Sequence, residues 1–375
     1  MSDNALPEEW EILRDWLPPD LDERARRYGF FQRARGLTDA QRWLRLILMH
    51  VAGGLSLEQT VVRARELGLA EVSAVALFKR LRNAETWLQD LCQHLLEQQH
   101  TRLGRCVWPT QYRVRAIDAT DVQEPGSTGT AWRIHYSIRL PELVCDHYEL
   151  TDGRGGEKLG RFNFAKGDLI LADRGYSHRA GAAKVLDSGA TVLMRWNPAV
   201  LPVQDPRGND FRLMERLASL PQRAAREWNV RFEYQNRNYA LRLCALRKSR
   251  VAAQRARRKA LRKAQRNGTQ AQEQSLQLTA YVLVLTSLPA KFSAAQVLEL
   301  YRCRWQVELA FKRLKSLLGA GHVPKSDDQS ASAWMQAKIF TALLLERLLW
   351  ETKIFSPWGY DLRVVKSLAT DPGST

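Results

Sequence analysis

The chain is poor in the residues that build metal cages and disulfide frameworks. It has five cysteines among 375 residues, Cys92, Cys106, Cys145, Cys244 and Cys303. None falls in a C-x-x-C pair, which argues against a zinc site or a disulfide scaffold and points to a reducing compartment. The seven histidines do not cluster. Neither G-x-x-x-x-G-K-[ST] nor a clean G-x-G-x-x-G occurs, so the glycine-rich stretch 153–160 is expected to be a turn and not a phosphate cradle. No apolar run approaches the ~20 residues of a membrane-crossing helix. The most hydrophobic stretch, 334–350, is interrupted by Lys338, Glu346 and Arg347 and is expected to be a buried helix. The opening MSDNALPEEWEILRDW is acidic and polar, unlike a secretory signal. These absences predict a cytoplasmic protein that does not enter membranes.

Acids are also scarce relative to bases: 57 Lys and Arg face 40 Asp and Glu, a formal charge of +17. Such an excess suits a polyanionic partner. Ten of the basic residues lie in RKSRVAAQRARRKALRKAQR (247–266), which contains no acid. This alanine-rich segment is expected to be either a solvated arm or a helix that lies along nucleic-acid phosphates, with Arg257, Arg258 and Lys259 at its centre.

Periodicity divides the chain. Residues 1–105 read as helical. Within them Ser56 and Gln59 form a capping-box pattern, Gly68 ends one helix and a second begins near Ser73. The pair is either a helix-turn-helix that presents Lys79 and Arg80 to DNA or part of a plain helical bundle. From 106 the period becomes two. Strands are expected at 112–122, 132–140 and 143–150, then a strand ending before Asp173, a helix and a strand at 190–196. Residues 200–289 read as a β-rich insertion, with a hairpin turning at 235–238 and a strand at 278–287. A long helix starts near Ser293, and 353–375 is a tail. The whole is an α/β protein: a helical region 1–105, a core from 106–199 and 290–352, and the insertion between them.

Three carboxylates stand out. Asp118 follows the apolar run Val114–Ile117, Asp173 closes the strand before it, and Glu308 lies on the late helix. Asp121, Glu124 and Asp168 are alternatives, with Asp118 preferred over Asp121 because Asp121 falls in the expected loop. Acids at strand ends plus a helix acid offer hard oxygen ligands suited to Mg²⁺ or Mn²⁺, and two such ions about 4 Å apart support in-line phosphoryl transfer. On the helix, Tyr301, Arg304, Glu308 and Lys315 fall within about one sixth of the circumference at about 100° per residue. They border the apolar arc of Leu300, Val307, Phe311, Leu314 and Leu318, while Glu299, Arg302, Gln306 and Arg313 take the opposite, solvent side. On this helix alone a partly buried Arg304–Glu308 pair explains the stripe equally well.

Together the motifs resemble DDE transposases of the insertion-sequence-4 type. That family carries Y-(2)-R-(3)-E-(6)-K on a helix, matched by Tyr301, Arg304, Glu308 and Lys315. It carries an Asp before R-G-Y, matched by ADRGY (172–176), and I-D-[GA]-T, matched by IDAT (117–120). The resemblance implies a ribonuclease-H-like mixed sheet with flanking helices, and Asp118, Asp173 and Glu308 as catalytic residues holding two Mg²⁺ ions, with Mn²⁺ as a substitute. It implies that Tyr301, Arg304, Lys315 and Arg174 hold DNA and that Tyr281 stands where some relatives use a stacking tryptophan. Its implied partners are double-stranded DNA, as terminal inverted repeats and target, and a second copy of the chain in a paired-end complex at the bacterial nucleoid. A different ribonuclease-H-like nuclease and a catalytically silent DNA-binding inhibitor of transposition are the rival classes.

Overall fold

A computed structural model describes residues 6–31, 37–102, 112–124, 126, 131–140, 142–324 and 327–351. Eight strands form one mixed sheet: β1 (Arg113–Val122), β2 (Trp132–Leu140), β3 (Val144–Asp152), β4 (Asp168–Ala172), β5 (Thr191–Arg195), β6 (Ala225–Tyr234), β7 (Arg237–Arg247) and β8 (Tyr281–Thr286). Their order is β3-β2-β1-β4-β5-β8-β7-β6. β1, β4 and β5 are parallel neighbours, whereas β5, β8, β7 and β6 pair antiparallel. The β6–β7 hairpin turns on Gln235 and Asn236, both at positive φ, the two-residue turn whose twist matches the flanking strands. The expected tail at 353–375 lies outside the described residues.

The chain divides into two compact units. One comprises Val107–Asp118 and Gly156–Val307. Its core joins Ile117 of β1, Ile170 and Ala172 of β4, and Val192 and Met194 of β5 with Val230, Phe232, Tyr239, Leu241, Leu243 and Leu285 of β6 to β8. The stretch expected to be a separate insertion therefore shares one core with the central strands. Its strands carry alternating apolar residues that a three-stranded sheet alone leaves uncovered, and extension of the existing sheet buries them. The helix Arg250–Arg266 grows out of this part with no buried residue; Ser249 caps its first turn.

The other unit comprises Met1–Cys106, Ala119–Gly155 and Glu308–Thr375. Helices Leu57–Glu66 and Ala74–Arg82 are capped by Ser56, in a capping box with Gln59, and by Ser73, and Gly68 sits at φ +62° after the first. The hydrophobic stretch 334–350 is indeed helical within Asp328–Glu351 and buries Trp334, Met335, Ile339, Phe340 and Leu343. β2 departs from its clean alternation. His135 and Ser137 are as buried as Ile134 and Tyr136, because both faces of this strand are covered. The covered polar face is served in part by a contact between His135 Nε2 and Thr151 Oγ1.

Candidate active site

Two aspartates come together because of strand register. In the parallel pairing of β1 and β4, Ile117 faces Ala172. Asp118 and Asp173 are the next residues, so both carboxylates emerge at the same edge of adjacent strands, which lie about 4.8 Å apart. The pairing with β4 ends here, but β1 itself continues to Val122. Asp118 is thus within a strand and not at its terminus as expected. Past Asp173 the chain folds at once into a single 3₁₀ turn, Arg174–Tyr176, stitched by Tyr176 N–H to the Asp173 carbonyl at 3.1 Å. Gly175 leaves room in this turn for the Glu157 carboxylate: a Cβ there would lie 1.6 Å from Glu157 Oε2, so a larger residue would make that side chain move.

Each aspartate is met by a side chain from the C-terminal part of the same unit. Helix Ala294–Arg302, started by the Ser293–Gln296 capping box, delivers Tyr301, whose hydroxyl donates to Asp173 Oδ1 at 3.2 Å. Burial, and then the negative charge of Asp173, push the phenol's pKa well up, so it stays neutral and acts as a donor. Arg304 NH1 donates to Asp118 Oδ2 at 3.0 Å, with the two side chains 14% and 17% exposed. Arg174 NH2 donates to Asn197 Oδ1 at 3.1 Å. Its guanidinium is depressed first by burial and then by the charge of Arg195, with Asp173 opposing. Arg195 also acts on Tyr301, so three arginines concentrate positive charge around two carboxylates.

The expected uniform helix through 301–315 is broken. A 3₁₀ turn occupies Cys303–Trp305, an α-helix Gln306–Lys312, and a π-helical segment Arg313–Leu317. The 3₁₀ turn overwinds the chain by about 20° per residue, about 60° in all. Gln306, expected at the solvent face, is instead buried, and Glu308 turns out to be exposed. The apolar arc holds: Leu300, Val307, Phe311, Leu314 and Leu318 are all buried. Lys315 falls in the π-helical segment and packs its stem against Gly321.

Residues 151–345 match the family described as Transposase DDE domain. Over 347 residues the chain is 33% identical to InsL, assigned as a transposase of insertion sequence element IS186A in Escherichia coli strain K12, covering 91% of this chain and 93% of that one. It is equally 33% identical to the transposase of insertion sequence element IS421 from Escherichia coli over 348 residues, with the same coverage. The chain belongs to the DDE transposases. As such it is an enzyme of a mobile element that cleaves DNA and transfers strands. A cryo-EM structure of the piggyBac transposase synaptic complex with hairpin DNA aligns at a TM-score of 0.44 and 10% identity, covering 96% of this chain and 85% of that one.

The alternative acids of this transposase are committed elsewhere. Asp168, at the start of β4, binds Arg113 Nε at 2.8 Å and Arg115 NH1 at 3.4 Å. Asp121 binds Arg133 at 2.8 Å, and Glu124 accepts from Trp132 Nε1 at 2.6 Å. Among the described residues no three His, Cys, Asp or Glu side chains converge as a ready metal cage.

The remaining predicted DNA contacts separate into inward and outward groups. Lys79 is exposed, but Arg80 points into its own unit. Its NH1 donates to the Phe30 carbonyl at 2.5 Å, and its guanidinium lies over the rings of Phe30, Phe31 and Trp43. Burial lowers its pKa. Tyr281 is half-buried and donates its hydroxyl to the Leu217 carbonyl at 3.2 Å. Arg258 and Lys259 are exposed, and Arg257 is exposed while pairing with Glu273 at 3.3 Å. Sequence reasoning missed Arg195, Asn197 and Glu157. None belongs to the three motifs, and only the folded chain brings them beside Asp173 or the turn that follows it. No described helix is long and apolar enough to cross a membrane.

Proposed function

We propose that this transposase excises and inserts its element by nicking the element's ends hydrolytically, forming a hairpin there, reopening it and joining the freed 3′-hydroxyl to target DNA. The observation that carries the reading is the Asp118–Asp173 pair, placed by the Ile117–Ala172 register and faced by Tyr301 and Arg304. The strand order β3-β2-β1-β4-β5, antiparallel then parallel, supports a ribonuclease-H-like core.

The donors fit a divalent cation in kind. Two carboxylates at neighbouring strand positions are hard oxygen ligands, and the Arg304 guanidinium stands at Asp118 where positive charge is wanted. Asp118 and Asp173 would hold Mg²⁺, or Mn²⁺ in its place, and Glu308 would complete the set. When bound, such ions activate water or a 3′-hydroxyl and stabilise the leaving oxygen. The protein's own groups do the rest. Tyr301 fixes the Asp173 carboxylate with a neutral hydroxyl. Arg304, Arg174 and Lys315 offset phosphate charge, and the helix Arg250–Arg266 tracks the backbone away from the cut. Tyr281 offers its exposed edge to an unstacked base. Pairing of two element ends calls for a homodimer, acting in the cytoplasm at the nucleoid.

The test is cleavage of labelled element-end DNA by the full chain with Mg²⁺. Nicked and hairpin products are expected with the wild type, and neither with Asp118→Asn. Nicked product without hairpin would remove the hairpin step, and undiminished cleavage by Asp118→Asn would overturn the site.

A further inference from the structure

Asp118 and Asp173 are engaged by different chemistry, although they stand side by side. Asp173 receives a hydrogen bond from a neutral phenol. That bond leaves the carboxylate its full charge and lone pairs to share. Asp118 instead faces a guanidinium at 3.0 Å, in a pair largely shielded from water. A guanidinium offsets the charge of the carboxylate and occupies a lone-pair direction on Oδ2 that a cation would otherwise use. The two cannot share Oδ2, because two positive groups at ligand distance in a shielded site repel strongly.

A phosphate is the natural competitor for that arginine. Phosphate oxygens accept from the guanidinium fork as well as a carboxylate does, often through two parallel bonds. We propose that Arg304 keeps a divalent cation off Asp118 in the free protein, and that a DNA phosphate, by taking the guanidinium, opens Asp118 to the metal. The inference rests on the reading above that Asp118 is a metal ligand and Arg304 a DNA contact. Its consequence is that the transposase stays unarmed away from DNA. By linkage, metal and DNA then tighten each other's binding by the same factor.

The experiment measures Mn²⁺ binding to the full chain without DNA, from the loss of the free-ion electron paramagnetic resonance signal. Wild type, Arg304→Gln, Arg304→Lys, Asp118→Asn and the double variant Arg304→Gln/Asp118→Asn are compared at 0.5 M salt. There the screening length is about 4 Å, so repulsion from exposed charges elsewhere on the chain is damped, while the shielded contact at Asp118 is affected much less. Arg304→Gln is expected to bind Mn²⁺ about tenfold more tightly than wild type, the scale of a typical coupling between sites. The gain should vanish in the double variant. Arg304→Lys, which keeps the charge but loses the fork, should fall between wild type and Arg304→Gln, and it guards against misfolding of the glutamine protein. Equal affinity in wild type and both Arg304 variants, with weaker binding by Asp118→Asn, overturns the exclusion and leaves the ligand assignment standing. Binding that is indifferent to Asp118→Asn in both backgrounds overturns the ligand assignment and the exclusion with it.

Discussion

The Tyr301 hydroxyl donates to Asp173 Oδ1 at 3.2 Å, across 128 residues of sequence. The bond ties the helix Ala294–Arg302 to the end of β4 through the carboxylate that the site needs in one orientation. Tyr301→Phe keeps the ring and removes only this donor. Cleavage of element-end DNA should fall severalfold, while thermal stability changes by about 1 kcal/mol, the worth of an ordinary hydrogen bond. Wild-type cleavage rates in the phenylalanine variant would make the tyrosine a packing residue.

Glu308→Gln keeps the size of the side chain and removes the charge. Single-turnover cleavage with Mg²⁺ should be abolished, whereas binding to the same duplex persists in a gel-shift assay. Full cleavage by the glutamine variant would remove Glu308 from the triad.

The exposed helix Arg250–Arg266 has no packing role to lose, since none of its residues is buried. Replacing Arg257, Arg258 and Lys259 together with Gln should weaken binding to DNA of any sequence. It should also flatten the dependence of log affinity on log salt by about 0.9 for each phosphate contact removed. An unaltered slope would make this helix a bystander.

Lys79 and Arg80 are adjacent in sequence and opposite in role. Arg80→Ala strips a guanidinium from three aromatic rings and leaves the Phe30 carbonyl without its donor. It should cost about 2–3 kcal/mol of stability in denaturant melts. Lys79→Ala should leave the melt unchanged and lower DNA affinity if the helix-turn-helix meets DNA. Equal stability of the two variants would contradict the inward placement of Arg80.

Glu346 provides a pH test. Its carboxylate accepts from Tyr136 O–H at 3.0 Å and from Cys145 N–H at 2.8 Å. Burial pushes its pKa from the ordinary 4.5 up to about 7, against those hydrogen bonds and the charge of Arg313. The folded protein therefore binds this proton more tightly than the unfolded chain does. The group's contribution is most favourable below pH 4.5 and declines as pH rises to about 7. Glu346→Gln removes the titration, so its stability relative to wild type should improve between pH 5 and pH 8, by on the order of a few kcal/mol. A stability difference that stays constant over that range would show that Glu346 does not titrate there.

Local sequence signals located most elements and the site motifs. The capping box at Ser56, the helix start near Ser293, the hairpin turn within 235–238 and the strands leading to Asp118 and Asp173 depend on neighbours a few residues away, which short-range patterns report directly. The spacing from Tyr301 to Lys315 was legible for the same reason. Its geometry was not, because a 3₁₀ turn before Glu308, which is exposed, and a π-helical segment after it replace uniform winding.

By itself, then, the sequence determined which residue types stand in the motifs, the excess of positive charge, and the order of helices and strands. Only the tertiary structure decided which partner each acid meets. Asp121 competes with Asp118 in the linear chain, and Asp168 and Glu124 lie near the same motifs, but the fold pairs Asp168 with Arg113 and Arg115, Asp121 with Arg133 and Glu124 with Trp132, whereas Asp118 meets Arg304. It likewise decided that the insertion's strands complete the central sheet and that Arg80 turns inward. Periodicity says which face of an element is buried, while the partner across that face is set by register and packing between distant segments.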